Sequence, residues 1–141
     1  MGFLYGKVIP IAAALCVSGA ALAQQTVDLG KREYGSSCAS CHGLSGKGDG
    51  PLRAFLVKAP SDLTTLAKRN GGTFPAQAVS EIIDGRTSTE IGTHGSREMP
   101  VWGHEYQVQA LQEGGMPYAA DWYARGRVLA LVDYLARIQV K

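Results

Sequence analysis

The strongest periodic segment lies near the C-terminus. Val128, Leu131, Val132, Leu135 and Ile138 recur at three- and four-residue intervals, with Tyr134 beside them, which predicts an amphipathic helix over residues 123–139. A second helix is predicted over residues 28–37: Asp28 suits the N-cap, and Gly30 and Tyr34, four apart, share one face. Two shorter helices fall between them. SDLTTLAKRNGG offers Ser61 or Asp62 as a cap, Leu63 and Leu66 as an apolar face, and Asn70-Gly71 as a stop. FPAQAVSEIIDGR offers Pro75 in the first turn, Val79, Ile82 and Ile83 as an apolar face, and Gly85 as a stop. Residues 104–122 read as a long connection with one short helix near 107–112. No convincing strand alternation, internal repeat or low-complexity tract follows residue 24. The pattern is one of helices at both ends and a loop-rich middle.

The N-terminus changes the picture. MGFLYGKVIPIAAALCVSGAALAQ carries one early positive charge, Lys7, then an apolar run too short to span a bilayer, then Ala21-Leu22-Ala23 in the form signal peptidase prefers. Residues 1–23 are therefore expected to be a cleaved export signal and residues 24–141 a single domain, with no stable membrane span after cleavage. Leu15 stands before Cys16 where a lipoprotein signal needs a small residue, so lipidation is not expected. Cleavage removes Cys16 and leaves Cys38 and Cys41. The formal charge of +2 falls by one with Lys7, and so nearly neutral a chain gives no basic face for nucleic acid. Glycine supplies 18 residues, many of them around the cysteine pair, and a small domain so rich in loops needs something more than its own core to pack around.

The chemistry concentrates in CASCH, Cys38 to His42. Two cysteines three apart staple almost nothing, so the pair is a site rather than a scaffold. Three chemistries use such a pair. A thioredoxin-like redox disulfide requires a strand-to-helix setting, absent here. A zinc site would need His94 or His104 to complete it, and these are not spaced as a second ligand pair. In covalent haem attachment each thiol adds to one vinyl group, and the adjacent histidine ligates the iron; C-x-x-C-H is the pattern that chemistry requires. We favour haem. GLSGKGDGP, residues 43–51, looks like a phosphate loop, but no Gly-Lys-Ser/Thr element follows and no strand precedes it. A second axial ligand could come from Met99, Met116, His94 or His104. A methionine opposite a histidine raises the reduction potential and suits electron transfer. Met99 and Met116 are both followed by proline, and spacing alone does not separate them.

Four stretches, GKREYGSSCASCH, GKGDGP, REMPVWG and LVDYL, resemble the class I c-type cytochromes, specifically the bacterial monohaem cytochromes c. The resemblance implies an all-α small cytochrome c fold, with N- and C-terminal helices crossing through Gly30, Tyr34, Leu131 and Tyr134. It implies one haem c attached at Cys38 and Cys41, with His42 and Met99 as iron ligands. It implies Pro51, or failing that Pro60, as the source of a carbonyl for the His42 ring N–H. Against that family, the 104–122 connection is long and suggests an added surface element for docking.

The expected protein is an exported, periplasmic one-haem electron carrier, not an enzyme, with transient redox partners and no nucleic acid. The alternative is a haem-bearing electron-transfer subunit of a periplasmic oxidoreductase complex. Leu52, Phe55, Leu63, Leu66, Ile82, Val101 and Trp102 are candidates for the apolar pocket. Arg97, ahead of Arg86, is the candidate for the haem propionates.

Overall fold

The computed structural model describes residues 1–2, 27–86 and 99–140. Among these the chain is helical, without strands: α1 (Leu29–Glu33), a π-helical turn (Tyr34–Cys38), α2 (Ala39–His42), α3 (Leu66–Arg69), α4 (Ala76–Asp84), α5 (Trp102–Gln112) and α6 (Pro117–Arg137). Short 3₁₀ turns occupy Pro51–Phe55 and Leu63–Thr65.

The hub is α6. Ala120, Ala124, Val128, Leu131, Val132 and Leu135 form its buried stripe, and α1, α4 and α5 all pack on it. Each large aliphatic side chain removed from water there stabilises the fold by about 1.5–3 kcal/mol. α6 starts well before residue 123 because Pro117 opens it at the first helical position. The 104–122 connection is accordingly not a loop. It is most of α5, a tight turn closed by Gly115 N–H donating to the Ala110 carbonyl at 2.8 Å, and the first turns of α6. Its helical signal was faint because α5 buries only Gly103, Tyr106 and Ala110: the spacing is helical, but two of the three residues are too small to register as an apolar stripe.

α1 crosses α6 backbone to backbone. A Cβ on Gly30 would collide with the Ala130 carbonyl oxygen and lie 2.8 Å from Tyr134 Cβ. Beside that contact the Tyr34 and Tyr134 rings pack with centroids 5.1 Å apart, and Leu131 is fully buried. The crossing expected from Gly30, Tyr34, Leu131 and Tyr134 is therefore present. Asp28 closes both ends of it: its side chain accepts from Lys31 N–H at 3.0 Å and pairs with Arg137 at 2.8 Å. The Arg137 guanidinium, then the Lys31 amide, holds that carboxyl down at about 2.

Helix α1 does not stop at residue 37. It runs through the wide π turn, where Ala39 N–H donates to the Tyr34 carbonyl, into α2. Ser36 loosens this stretch by donating its hydroxyl back to the Arg32 and Glu33 carbonyls at 3.2 and 3.1 Å. In α4, Val79 and Ile83 are buried as expected, but Ile82 is 56% exposed: four-residue spacing alone carries that contact. Gly85, at φ 67°, ends the helix. Asp62, not Ser61, is the cap in the middle segment, accepting from Thr64 N–H at 2.8 Å.

The crossing sets a prediction. Gly30→Val should cost about 2–3 kcal/mol, at the upper end of overpacking penalties, because backbone faces the added atoms. Chemical denaturation of the unmodified protein and the variant measures it, and an unchanged midpoint would contradict the crossing geometry.

Candidate functional site

Cys38 ends the π turn and Cys41 stands in α2 one turn on. Both thiols are free. Cys38 is buried, and burial, followed by the nearby Glu33 carboxylate, pushes its thiol up to about 12. A redox disulfide needs the reverse, a thiol with a lowered pKa that attacks as thiolate. Among the described residues no three His, Cys, Asp or Glu side chains are grouped so as to hold a metal ion, and His104 lies exposed on α5. Among the described residues the motif thus has neither the lowered Cys38 thiol that a dithiol active site uses nor the ligand cluster of a chelate.

The helix ends at His42 because Gly43 takes φ 79°, ψ 157°, a region open essentially to glycine alone. The chain then folds back on the helix end. Gly48 N–H donates to the His42 carbonyl at 2.8 Å and Gly50 N–H to the Cys41 carbonyl at 3.1 Å, satisfying acceptors a helix C-terminus leaves open. The Tyr34 hydroxyl donates to the Gly43 carbonyl at 2.6 Å, so the α1–α6 crossing also fixes the turn after the motif.

His42 Nδ1 lies 3.0 Å from the Ser61 carbonyl oxygen. A carbonyl only accepts, so Nδ1 carries the proton and Nε2 presents its lone pair, the tautomer suited to a metal ligand. Neither Pro51 nor Pro60 supplies that carbonyl. Pro51 opens an exposed 3₁₀ turn. Leu63 N–H donates to the Gly46 carbonyl at 2.7 Å, which lays the 60–63 segment across the glycine loop and brings Ser61 to the ring. The C-terminus clamps that segment in turn. The Gln139 side chain accepts from Ala67 N–H at 2.9 Å and donates to the Leu63 carbonyl at 2.8 Å, and Val140 N–H donates to the Thr64 carbonyl.

Met99 and Trp102 are partly buried against the same core as Cys38, as are Leu63 and Leu66. The Trp102 and Tyr106 rings lie 5.8 Å apart. Leu52 and Phe55 are exposed, and Met116 is exposed at the α5–α6 turn. Arg97 and His94 lie outside the described residues. Arg86 is committed elsewhere: it forks onto Asp84 at 2.7 Å and reaches Asp121 at 2.6 Å, tying the end of α4 to α6.

The residues fit a haem of the c type. They offer two free thiols a helical turn apart, an imidazole oriented from behind, and a thioether and an indole on the same core. Over residues 25–135 the sequence matches the family described as cytochrome C oxidase, cbb3-type, subunit III. The chain belongs to that family. It is thus a c-type cytochrome domain, whose cofactor is covalently bound haem c and whose chemistry is haem-based electron transfer. No curated protein and no solved structure matches the chain.

Sequence reasoning missed a polar cluster behind Cys38 in this cytochrome. Glu33, 3% exposed, pairs with Arg127, whose guanidinium also donates to the Tyr123 hydroxyl and lies 4.6 Å over the Tyr123 ring and 5.8 Å over that of Tyr106. Among the described residues the buried Tyr106 hydroxyl makes no hydrogen bond of good geometry, although the Ser37 and Glu33 side chains lie close enough to act on it, and burial, the largest effect, raises its pKa above the usual phenol range. A signal was available. Glu33 shares the face of Gly30 and Tyr34, and Arg127 interrupts the C-terminal apolar stripe, so each crossing helix carries one charge of opposite sign toward the other.

Removing one partner of a buried pair leaves the other charge stranded. Glu33→Gln should cost about 3 kcal/mol, the low end for such pairs because Arg127 keeps some solvent contact. Glu33→Leu combined with Arg127→Met should recover most of it. Denaturant unfolding of Glu33→Gln, Glu33→Leu, Arg127→Met and the double variant checks both, and losses in the two matching single variants that simply add in the double would show that the pair is not coupled.

Proposed function

We propose that this cytochrome is an exported one-electron carrier, freed of residues 1–23 after Ala23 and working in the periplasm. The observation that carries the reading is the oriented His42: its Nδ1 proton is held by a backbone carbonyl, and its Nε2 is left as a donor beside two reduced thiols. In this reading Cys38 and Cys41 would hold the cofactor as thioethers, His42 Nε2 and Met99 Sδ would ligate its iron, and Trp102 would pack near it. The haem, when bound, supplies the Fe(III)/Fe(II) couple. Two protein ligands leave no position for a substrate, which suits electron transfer without bond making. Arg97 is assigned to the propionates. Among the described residues no helix is long and apolar enough to cross a membrane.

A second reading is favoured by the family description, which names a subunit of an oxidase. There the same haem chemistry serves inside an oxidoreductase complex rather than in a diffusing carrier. Size-exclusion of the native protein from its source separates the two readings, because only a subunit elutes with unlike chains.

The ligand assignment makes a spectroscopic prediction. The oxidised protein should show the weak far-red band of iron–methionine ligation. Met99→Ala should abolish it, and Met116→Ala should leave it unchanged. The reverse pattern would move the ligand to Met116, and rapid carbon monoxide binding by the unmodified reduced protein would contradict a closed six-coordinate site.

A further inference from the structure

One face of α6 has no task inside the molecule. Tyr118, Trp122 and Leu129 are 71%, 72% and 63% exposed, and with Arg125 they follow a four-three-four spacing. At about 100° per residue these four side chains fall within an arc of roughly 60°. The buried stripe of α6 points away from them. Single exposed apolar residues are ordinary, but an aromatic row on one narrow face marks an interaction surface.

The spacing of the row lets a second copy of the same helix lie against it. The Tyr118–Leu129 pair and the Trp122–Arg125 pair are both centred on one point, between Tyr123 and Ala124. A two-fold axis through that point, with a second α6 laid antiparallel, sets Tyr118 against Leu129 of the second copy and Trp122 against Arg125 of the second copy, and the reciprocal contacts follow. Four-three-four spacing is also the spacing of a coiled-coil seam, in which such layers interlock. Arg125 is already held by its Nε donating to Asp121 at 2.7 Å. A guanidinium plane stacks well on an indole face. We propose that this face is an isologous homodimer interface, α6 against α6, with Trp122 and Arg125 as its central pair.

The size and charge agree with that occupant. Covering two aromatic rings and a leucine on each copy removes roughly 1,000 Å² in total, the lower bound for a specific interface and the range of reversible association. The flanking charges are Asp121 and Asp133, each already paired along the helix with Arg125 and Arg137. A membrane-binding helix would instead carry a lysine- and arginine-rich margin. The inference is independent of the haem ligand assignment.

Sedimentation equilibrium of the mature holoprotein tests it. The wild type should show a concentration-dependent monomer–dimer equilibrium. Trp122→Glu should weaken it about thirtyfold or more, as loss of a central aromatic anchor does, with the haem spectrum unchanged. Leu129→Lys gives the same readout should the first variant fail to fold. The register is tested separately: Tyr118→Cys/Leu129→Cys should form a covalent dimer on mild oxidation, and neither single cysteine variant should. A wild type that stays monomeric at the highest attainable concentration overturns the proposal. So does a dimer that survives Trp122→Glu and Leu129→Lys, or one that cross-links equally through a single introduced cysteine.

Discussion

The contact between Gly30 and the backbone of α6 is the constraint on which the rest depends. With no side chain at Gly30, α1 rests on the Ala130 carbonyl, and the neighbouring space is filled by Tyr34 against Tyr134. The same Tyr34 reaches past the end of the helix to the Gly43 carbonyl. Position is thus transmitted from the helix crossing to the turn that follows CASCH in one side chain. A second route runs from the other end of α6. Gln139 and Val140 hold residues 63–67, and that segment carries the Ser61 carbonyl to His42. The imidazole is therefore oriented by the two ends of the chain together, which leaves the middle free to be loop.

Electrostatics around the motif work in the same direction. Burial and the Glu33 carboxylate keep the Cys38 thiol protonated, so its environment does not favour the thiolate that disulfide exchange requires. The carboxylate is balanced by Arg127 rather than by water. A buried pair of this kind adds little net stability compared with apolar packing, but it penalises any slip of α1 along α6 that would separate the charges. The aromatic faces of Tyr106 and Tyr123 receive the largely buried guanidinium.

Much of this was legible in the residues. The crossing was implied by the resemblance to class I c-type cytochromes, and the Gly30 contact supplies its steric reason; CASCH could be read because its spacing is set by the cofactor's chemistry. Only the second half of α5 was legible, as the short helix near 107–112, because two of the three residues on its buried face are small. Ser61 was hidden because the carbonyl of any residue can serve, and only the path of the chain selects one. Glu33 and Arg127 stand 94 positions apart, and their pairing became visible only once the two helices were laid across each other. The exposed row on α6 is plain in the sequence as spacing, yet it reads as core until the fold shows which face is buried.

The most direct measurement is the intact mass of the denatured protein purified from an export-competent host. The account predicts a chain lacking residues 1–23 and carrying one haem that denaturation does not remove, and loss of that haem when Cys38 and Cys41 are both replaced by alanine. An unmodified chain, or one lighter by two hydrogens through a Cys38–Cys41 disulfide, would contradict it.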